Sequence, residues 1–501
     1  MKTHTAITAG LFAALLGCAS AHAQDSVRVG TDVDAALLDP RIMRDTTAYR
    51  TDDLLFDGLV QLDAKSQPQP GLAMSWDHPD ATTWIFHLRD AKFQDGSPVT
   101  ADDVVYTVQT TLEPARASRF RGLLTPIRTI SATDAHTVRI ELSQPYAPLL
   151  YYMELGIVSK ALASAANADM SAHPVGSGPM RLASWKRGNS IMLEANPDYW
   201  AGAPKLKRLE LVIVGDNTAR AHALEAGDLD FINSPLSPQD VQRLMANPKF
   251  AHVNMSGQAL TFLLFNTSDA TLSDPAMRRA IGQLVDQKTI LNQIYGGIDQ
   301  PANEMLLPTS IGYDAALQQP SFDPVAAGKA LDALGWTRGA GGKRMKDGKA
   351  LALTLSTHSE DPNRVQAMEF LQAVFTDAGI DARVSLGDFP SFFAAVQQGR
   401  TQISLLGLAL NVNDPDRILY DQLHTGGGGN WSKYGNAELD KLLEQGRRGE
   451  DRIAAYRQAE TILVRDLPLY MLSWQGFQAF HKPSLTNYIA NPRGYLRSLL
   501  R

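Results

Sequence analysis

The chain has 501 residues, 44% of them apolar and 20% charged, the balance of a globular protein rather than a disordered or fibrous one. Lys and Arg number 47 against 53 Asp and Glu, a formal charge of −6, which argues against nucleic acid as the main partner. The single cysteine, Cys18, excludes an intramolecular disulfide and a zinc site built on several thiolates.

Lys2 precedes an apolar stretch over 6–16, too short to span a bilayer. Ala21-His22-Ala23 then supplies small residues around a cleavage point before Gln24. This is the pattern of a secretory signal peptide, and cleavage between Ala23 and Gln24 leaves a mature chain without cysteine. Leu15-Leu16-Gly17-Cys18 also resembles a bacterial lipoprotein box, so a lipid anchor on Cys18 is the alternative. No later stretch reaches the ~18 uninterrupted apolar residues of a membrane span.

The mature chain opens with a strand over 26–29, and Asp39-Pro40 breaks it. Period-two alternation predicts strands over 84–89, 137–142 and 208–214. Asp95-Gly96 is a turn signal. Thr100 with Asp103 forms a capping box that opens a helix through about 111. A helix over 219–226 ends at Gly227. Asp274-Pro275, Asp323-Pro324 and Asp414-Pro415 each set a capping carboxylate before a proline at the first helical position, and Gly335 stops the second of these helices after Leu334. The runs 339–342 and 426–429 read as loops, the latter flexible or rich in left-handed glycines. Alternating helices and short strands favour mixed α/β lobes.

Signatures of catalysis are missing: no H-E-x-x-H, no G-x-S-x-G, no G-x-x-x-x-G-K-[ST] and no S-x-x-K. Of the eleven histidines, His173, His222, His252, His358, His424 and His481 stand singly, without metal-ligand spacing; each reads as a surface or satisfied core residue. The 426–429 loop lacks the Lys-Ser/Thr of a phosphate cradle. A large, exported, motif-poor α/β chain points to binding rather than catalysis, with no cofactor.

Several blocks then resemble one family. Gly71-Leu72-Ala73-Met74-Ser75-Trp76 is followed by Phe86-His87-Leu88-Arg89, Phe93-Gln94-Asp95-Gly96 and Thr100-Ala101-Asp102-Asp103-Val104. Pro174-Val175-Gly176-Ser177-Gly178-Pro179 precedes Asn196-Pro197-Asp198-Tyr199-Trp200. Phe265-Asn266-Thr267 precedes Arg278-Arg279-Ala280-Ile281, and Asp414-Pro415-Asp416 precedes Asn430-Trp431. In order and spacing these are similar to the signatures of family-5 extracytoplasmic solute-binding proteins, the peptide/nickel/opine type that serves ABC importers. Locally the same residues mark turns, caps and core, so they define the fold and need not touch ligand.

The resemblance implies a two-lobed periplasmic binding protein, type II-like and of cluster C, with an extra subdomain and a hinged ligand cleft. Residues 1–23 would be the signal peptide. Lobe I would comprise 24–60, 172–268 and 476–501, the extra subdomain 61–171, and lobe II 269–475. A monomer is expected, capturing a small molecule or short peptide and delivering it to a permease and ATPase complex at the inner membrane. The other readings are a non-peptide ligand (an opine, a glutathione-like anion or a metal–chelator complex), a ligand-reporting partner of a membrane sensor, or an exported hydrolase.

Two stretches line the cleft in peptide-binding relatives. One corresponds to 41–49, with Arg44 and Thr46. The other corresponds to 402–411, where an extended ligand adds to exposed backbone and small Gly407 and Ala409 allow close approach. The inner half of that run reads equally well as a plain buried strand. Here the chain departs from the family: Asn411 stands where peptide binders often carry an aspartate for the ligand ammonium, Leu408 where a tryptophan often stands, and Arg44 where one relative is acidic. An amide in place of a carboxylate removes a charge-assisted hydrogen bond worth roughly 1.5–3 kcal/mol. Arg44 and Arg364 are candidates for holding a carboxylate instead, with a solvated surface position the alternative for each. Asp414 reads as a helix cap.

N-terminal sequencing of the exported protein is expected to begin at Gln24; an acylated Cys18 as first residue would replace this reading with that of a lipoprotein.

Overall fold

The computed structural model describes residues 25–64, 66–166, 169–409 and 414–501. The expected signal segment with Cys18, the Ala23–Gln24 bond and Asn411 lie outside the described residues.

Local chemistry sets the helix starts. Asp274, Asp323 and Asp414 each accept a backbone N–H from the first turn of a helix whose leading residue is proline: Pro275–Gly282, Pro324–Ala333 and Pro415–Leu423. Asp361 does the same for Pro362–Asp377, a fourth case of the motif that the sequence reading passed over. Thr100 and Asp103 close the expected capping box on Ala101–Leu112. The expected 219–226 helix runs from Asn217 to Ala226 and ends at Gly227 in the left-handed region, φ 84°. The 426–429 loop differs from expectation, since none of its glycines has positive φ. They are there for space: a Cβ on Gly427 would lie 2.3 Å from the Asp421 carbonyl oxygen, and one on Gly429 2.1 Å from Gln422 Nε2.

The main sheet has eleven strands. In chain order they are β1 (Ser26–Thr31), β2 (Met180–Lys186), β3 (Ser190–Ala195), β4 (Arg208–Ile213), β5 (Phe231–Ile232), β6 (Ala251–Phe265), β7 (Gln300–Pro301), β8 (Ala352–His358), β9 (Asp381–Gly387), β10 (Ile403–Ala409) and β11 (Leu469–His481). Their spatial order is β9-β8-β10-β6-β11-β5-β1-β4-β3-β2, with β7 paired to β11. The long antiparallel pair β6 and β11 lies at the middle. Its register runs from Ala251 opposite His481 to Ser256 opposite Gly476, breaks, and resumes with Leu260 opposite Trp474.

That break separates two packing environments. Before it, Val253 and Met255 pack on the core of Val27, Val29, Leu209 and Leu211. Beyond it, alternate residues of β6 enter two cores on opposite faces: Leu263 and Phe265 with Leu353, Phe375 and Leu405, and Leu260, Phe262 and Leu264 with Leu406, Leu443 and Leu463. Burial on both faces explains why this half of β6 reads as an unbroken apolar run. A separate antiparallel sheet, ordered Ala73–Asp80, Thr83–Leu88, Thr137–Leu142, Ile127–Asp134, covers its own core of Phe86, Phe93, Val104, Val138 and Ile140. Each such side chain contributes roughly 1.5–3 kcal/mol by leaving water.

The second of the two faces also encloses a pair of acids. Glu460 is fully buried and Glu304 nearly so. Glu460 accepts the Met305 N–H and Glu304 that of Asp314, each through Oε1; neither Oε2 has a partner among the described residues. Burial pushes the Glu304 carboxyl up to about 8, opposed by the Asp314 N–H hydrogen bond and by Arg457, while the Asp314 charge adds to the shift. Burial and the charge of Glu304 push Glu460 well above the carboxylate range. The folded state therefore holds protons more tightly than the unfolded chain does. The contribution of this pair to stability should be greatest below about pH 4.5 and fall towards pH 8, by about 1.4 kcal/mol per pH unit for one proton. Thermal unfolding of Glu460→Gln should match the parent near pH 5 and exceed it at pH 8; equal pH profiles would show that the pair does not share this proton burden.

Candidate functional site

β10 is only half paired on one side. Against β6 it is bonded along its length, from Ile403 opposite Phe265 to Ala409 opposite Ala259. Against β8 the parallel pairing covers Leu355–Ile403 and Ser356–Ser404 alone, and one further bond runs from Thr357 Oγ1 to the Leu405 carbonyl. Ile403 to Leu406 are buried, while Gly407 and Ala409 are exposed. The inner half is thus the plain buried strand allowed by the sequence, and the outer half presents an open backbone edge.

Arg364 stands over that edge. It lies in the first turn of the Pro362–Asp377 helix, whose cap Asp361 accepts the N–H groups of Asn363 and Arg364 through Oδ1. Asp361 Oδ2 lies 3.2 Å from Arg364 Nε, and the arginine side chain is only 18% exposed. Arg364 Nη1 lies 3.3 Å from His358 Nε2. A Cβ built on Gly407 would sit 2.3 Å from Arg364 Nη2. The space beside the Gly407 Cα is taken by the Arg364 guanidinium.

Arg364 shapes the titration of its neighbours, alongside the carboxylates of Asp361 and Glu360. Burial, then the Arg364 charge, lowers the His358 pKa, so this imidazole is neutral near pH 7. Burial pushes the Tyr295 hydroxyl above its ordinary range, with Arg364 and Asp361 acting on it in opposite senses. Tyr295 Oη, His358 Nδ1 and Gln258 Nε2 are buried polar atoms without a hydrogen-bond partner among the described residues. Gln258 lies in the register break of β6, one residue before Ala259, the partner of Ala409. His358 is thus neither a surface residue nor a satisfied core residue, as the sequence had suggested, but a neighbour of the arginine.

The remaining sequence candidates have other neighbours. Arg44 is exposed, and its carbonyl accepts a hydrogen bond from Arg119 Nη1 at 3.1 Å. Thr46 is the exposed first residue of the Thr46–Leu55 helix, which Asp45 caps. Asp414 is buried and takes Arg452 Nη2 at 2.7 and 2.8 Å besides capping its helix; it is a structural residue. Among the described residues no group of three or more His, Cys, Asp or Glu is placed to hold a metal ion.

At the crossing of β6 and β11 the backbone is tightly constrained. Asp299 accepts Ser473 Oγ at 2.9 Å and the Gly476 N–H at 3.0 Å. A Cβ on Gly476 would meet the Ile298 carbonyl oxygen at 2.3 Å, and one on Gly257 the Gln475 carbonyl oxygen at 2.9 Å.

No described helix is long and apolar enough to cross a membrane. Residues 67–430 match the family described as bacterial extracellular solute-binding proteins, family 5 middle. Protein XP55 of Streptomyces lividans is 31% identical over 459 residues, covering 89% of this chain and 82% of its own. The probable D,D-dipeptide-binding periplasmic protein DdpA of Escherichia coli (strain K12) is 28% identical over 492 residues, covering 94% and 92%. The solved structure of HbpA2 from Haemophilus parasuis shares the fold, with a TM-score of 0.85 at 23% identity over 94% of this chain and 98% of that one. The two-lobed α/β architecture expected from the sequence is the one found. With the match spanning more than half of its length, the chain belongs to family 5 of the bacterial extracellular solute-binding proteins.

Proposed function

We propose that the protein captures a peptide or peptide-like solute between its two lobes and delivers it to the permease and ATPase complex of an ABC importer, without catalysing a reaction on it. The observation that carries this reading is the open outer half of β10 with Arg364 above it. An extended ligand can pair with the unsatisfied backbone there, so that main-chain bonds supply affinity and loose pockets tolerate varied side chains. The relative named as a probable D,D-dipeptide-binding periplasmic protein supports a peptide-like ligand.

Charge sets the expected preference. A desolvated ligand carboxylate facing a guanidinium gains paired, charge-assisted hydrogen bonds, and Arg364 is already held in place by Asp361 and backed by neutral His358. Arg44, exposed to solvent, adds a weaker and more screened attraction. Asn411 offers a ligand ammonium no charge partner. An N-blocked or acidic peptide, or an opine-like acid, is therefore favoured over a simple neutral dipeptide.

The register break in β6 and β11 is the proposed hinge. On this reading lobe I spans 24–60, 172–258 and 476–501, moving the boundary back from residue 268, because 260–265 pack with the second lobe. Residues 61–171 form the extra subdomain, and the chain is an exported periplasmic monomer cleaved after Ala23. Ligand closes the lobes to the extent that it binds the closed state better than the open one.

Small-angle scattering should give a smaller radius of gyration with saturating ligand than without. Calorimetry with an N-acetylated acidic dipeptide should show that Arg364→Ala costs about 1–3 kcal/mol and Arg44→Ala less than about 1 kcal/mol. Gly407→Ala should act in the same direction as Arg364→Ala by displacing the guanidinium. If neutral, unblocked dipeptides bind as tightly and Arg364→Ala changes nothing, the carboxylate preference is wrong even though the fold and binding role stand.

A further inference from the structure

Residues 61–171, the proposed extra subdomain, are fastened to lobe I through many segments. Val60 donates its N–H to the Met153 carbonyl, and Ile157 donates to that of Asp57. Gln94 Nε2 reaches the carbonyls of Leu55 and Met180 at 2.9 and 2.7 Å. Arg493 Nη1 lies 2.5 and 2.7 Å from the two oxygens of Glu154. Bonds spread so widely join the subdomain and lobe I into one body.

The subdomain also touches lobe II. The Ala437–Arg448 helix ends at Gly449, φ 94°, and the last carbonyls of a helix lack partners within it. One of them, that of Arg447, accepts the Ala147 N–H at 2.9 Å. A Cβ on Gly449 would lie 3.3 Å from the Cβ of Ala147. The side chains around this bond interleave. Arg447 Nε and Nη2 lie 2.8 and 2.9 Å from the two oxygens of Asp416. Its Cζ is 3.2 Å from the ring centre of Tyr420 and 5.8 Å from that of Tyr146. Arg452, paired with Asp414, has its Cζ 5.4 Å from the ring centre of Tyr456 and 5.8 Å from that of Tyr151. Both acids, Tyr420 and Tyr456 belong to lobe II, whereas the buried Tyr146 and Tyr151 belong to the subdomain. A guanidinium already fixed by a carboxylate presents its flat face to a ring without further ordering. The lobe II charges are felt across the contact: burial, then Asp414, pushes the Tyr151 hydroxyl up to about 12, against Arg452.

We propose that this contact is a latch, in which Tyr146, Ala147 and Tyr151 meet Arg447 and Arg452 when the lobes close and leave them when the lobes open. The inference rests on the reading of two lobes hinged at the β6–β11 register break, and extends it by giving the subdomain a part in closure. Bending at that break moves lobe II against the body made of lobe I and the subdomain, so the Ala147–Arg447 bond has to part. What parting exposes is one N–H and one carbonyl, which water can satisfy. Both arginine–aspartate pairs stay intact inside lobe II, so no buried charge is stranded. The latch is thus reversible. By holding a share of empty molecules closed, it raises the apparent affinity for whatever ligand the closed form prefers.

Small-angle scattering of the empty mature protein tests it. Ala147→Trp sets a wedge where Gly449 now approaches, and should give a larger radius of gyration than the parent. The double variant Ala147→Cys, Gly449→Cys adds two cysteines to a chain that holds none once cleaved after Ala23, at a spacing close to the roughly 3.5–4.5 Å between Cβ atoms of a disulfide. Oxidised, it should be as compact as the parent or more so, and dithiothreitol should release it. Should the double variant fail to fold, because φ at Gly449 disfavours a side chain, the wedge decides alone. Equal radii for the parent and Ala147→Trp, or an oxidised pair as expanded as Ala147→Trp, would overturn the latch. No ligand is added, so the result is separate from the calorimetry. A parent that does not contract with ligand, beside an Ala147→Trp that still expands, would overturn ligand-driven closure and leave the latch standing.

Discussion

The antiparallel pairing of β6 with β11 is the constraint on which the rest of the molecule depends. Both strands run through both halves of the main sheet, so each half is completed by backbone belonging to the other. A continuous ladder of hydrogen bonds resists sliding, whereas a break in register bends and twists locally. Here the break falls where the packing changes from one set of cores to the other. Gly257 and Gly476 let neighbouring carbonyl groups approach at that point, and Asp299 ties Ser473 to Gly476 from outside the ladder. Rigid halves joined by a short deformable section are the mechanical requirement for hinge closure.

The open edge of β10 follows from the same geometry. β10 pairs with β6 to its end because β6 is long, but β8 leaves it after Ser404. The sheet is consequently complete in its interior and unfinished at its rim. An unpaired edge in most proteins invites aggregation and has to be blunted; here a guanidinium stands over it, with Gly407 providing room. Solvation and charge thus protect an edge that a ligand of suitable chemistry can still pair with. Glu304 and Glu460 are likewise a region where burial has outrun pairing, and burial pushes both carboxyls up.

The local rules recovered much of the framework from sequence. Aspartate before proline marked three helix starts, Thr100 and Asp103 a fourth, and period-two alternation over 137–142 a strand with those same bounds. These signals are legible because they act between residues a few positions apart. The site was less legible. Arg364 and Gly407 were each singled out, but nothing in a linear chain shows that one fills the space left by the other, 43 positions on. His358 passed for an ordinary histidine because its relation to Arg364 runs from a strand end, across a turn, to a helix start. The Asp361-Pro362 pair was the available clue, since it places Arg364 in a first helical turn. Tyr295 and Gln258 carried no signal at all: their interest lies in unpaired buried atoms, a property of packing. The misread 426–429 loop shows the same limit, since glycine selected for close approach and glycine selected for left-handed backbone look identical in sequence.

The position of β11 has a consequence for the order in which the chain can fold. It begins at Leu469 and sits between β6 and β5 at the middle of the main sheet, and the residues beyond it send Arg493 and Arg497 back to Glu154 and Asp57 near the other end of the chain. A polypeptide made from its N-terminus therefore has no way to close its central sheet until its final segment has been released, however early its local helices form. Contacts of such long sequence separation slow assembly. Until that strand is in place, the two neighbours that flank it in the sheet, β6 and β5, each lack a partner along that edge.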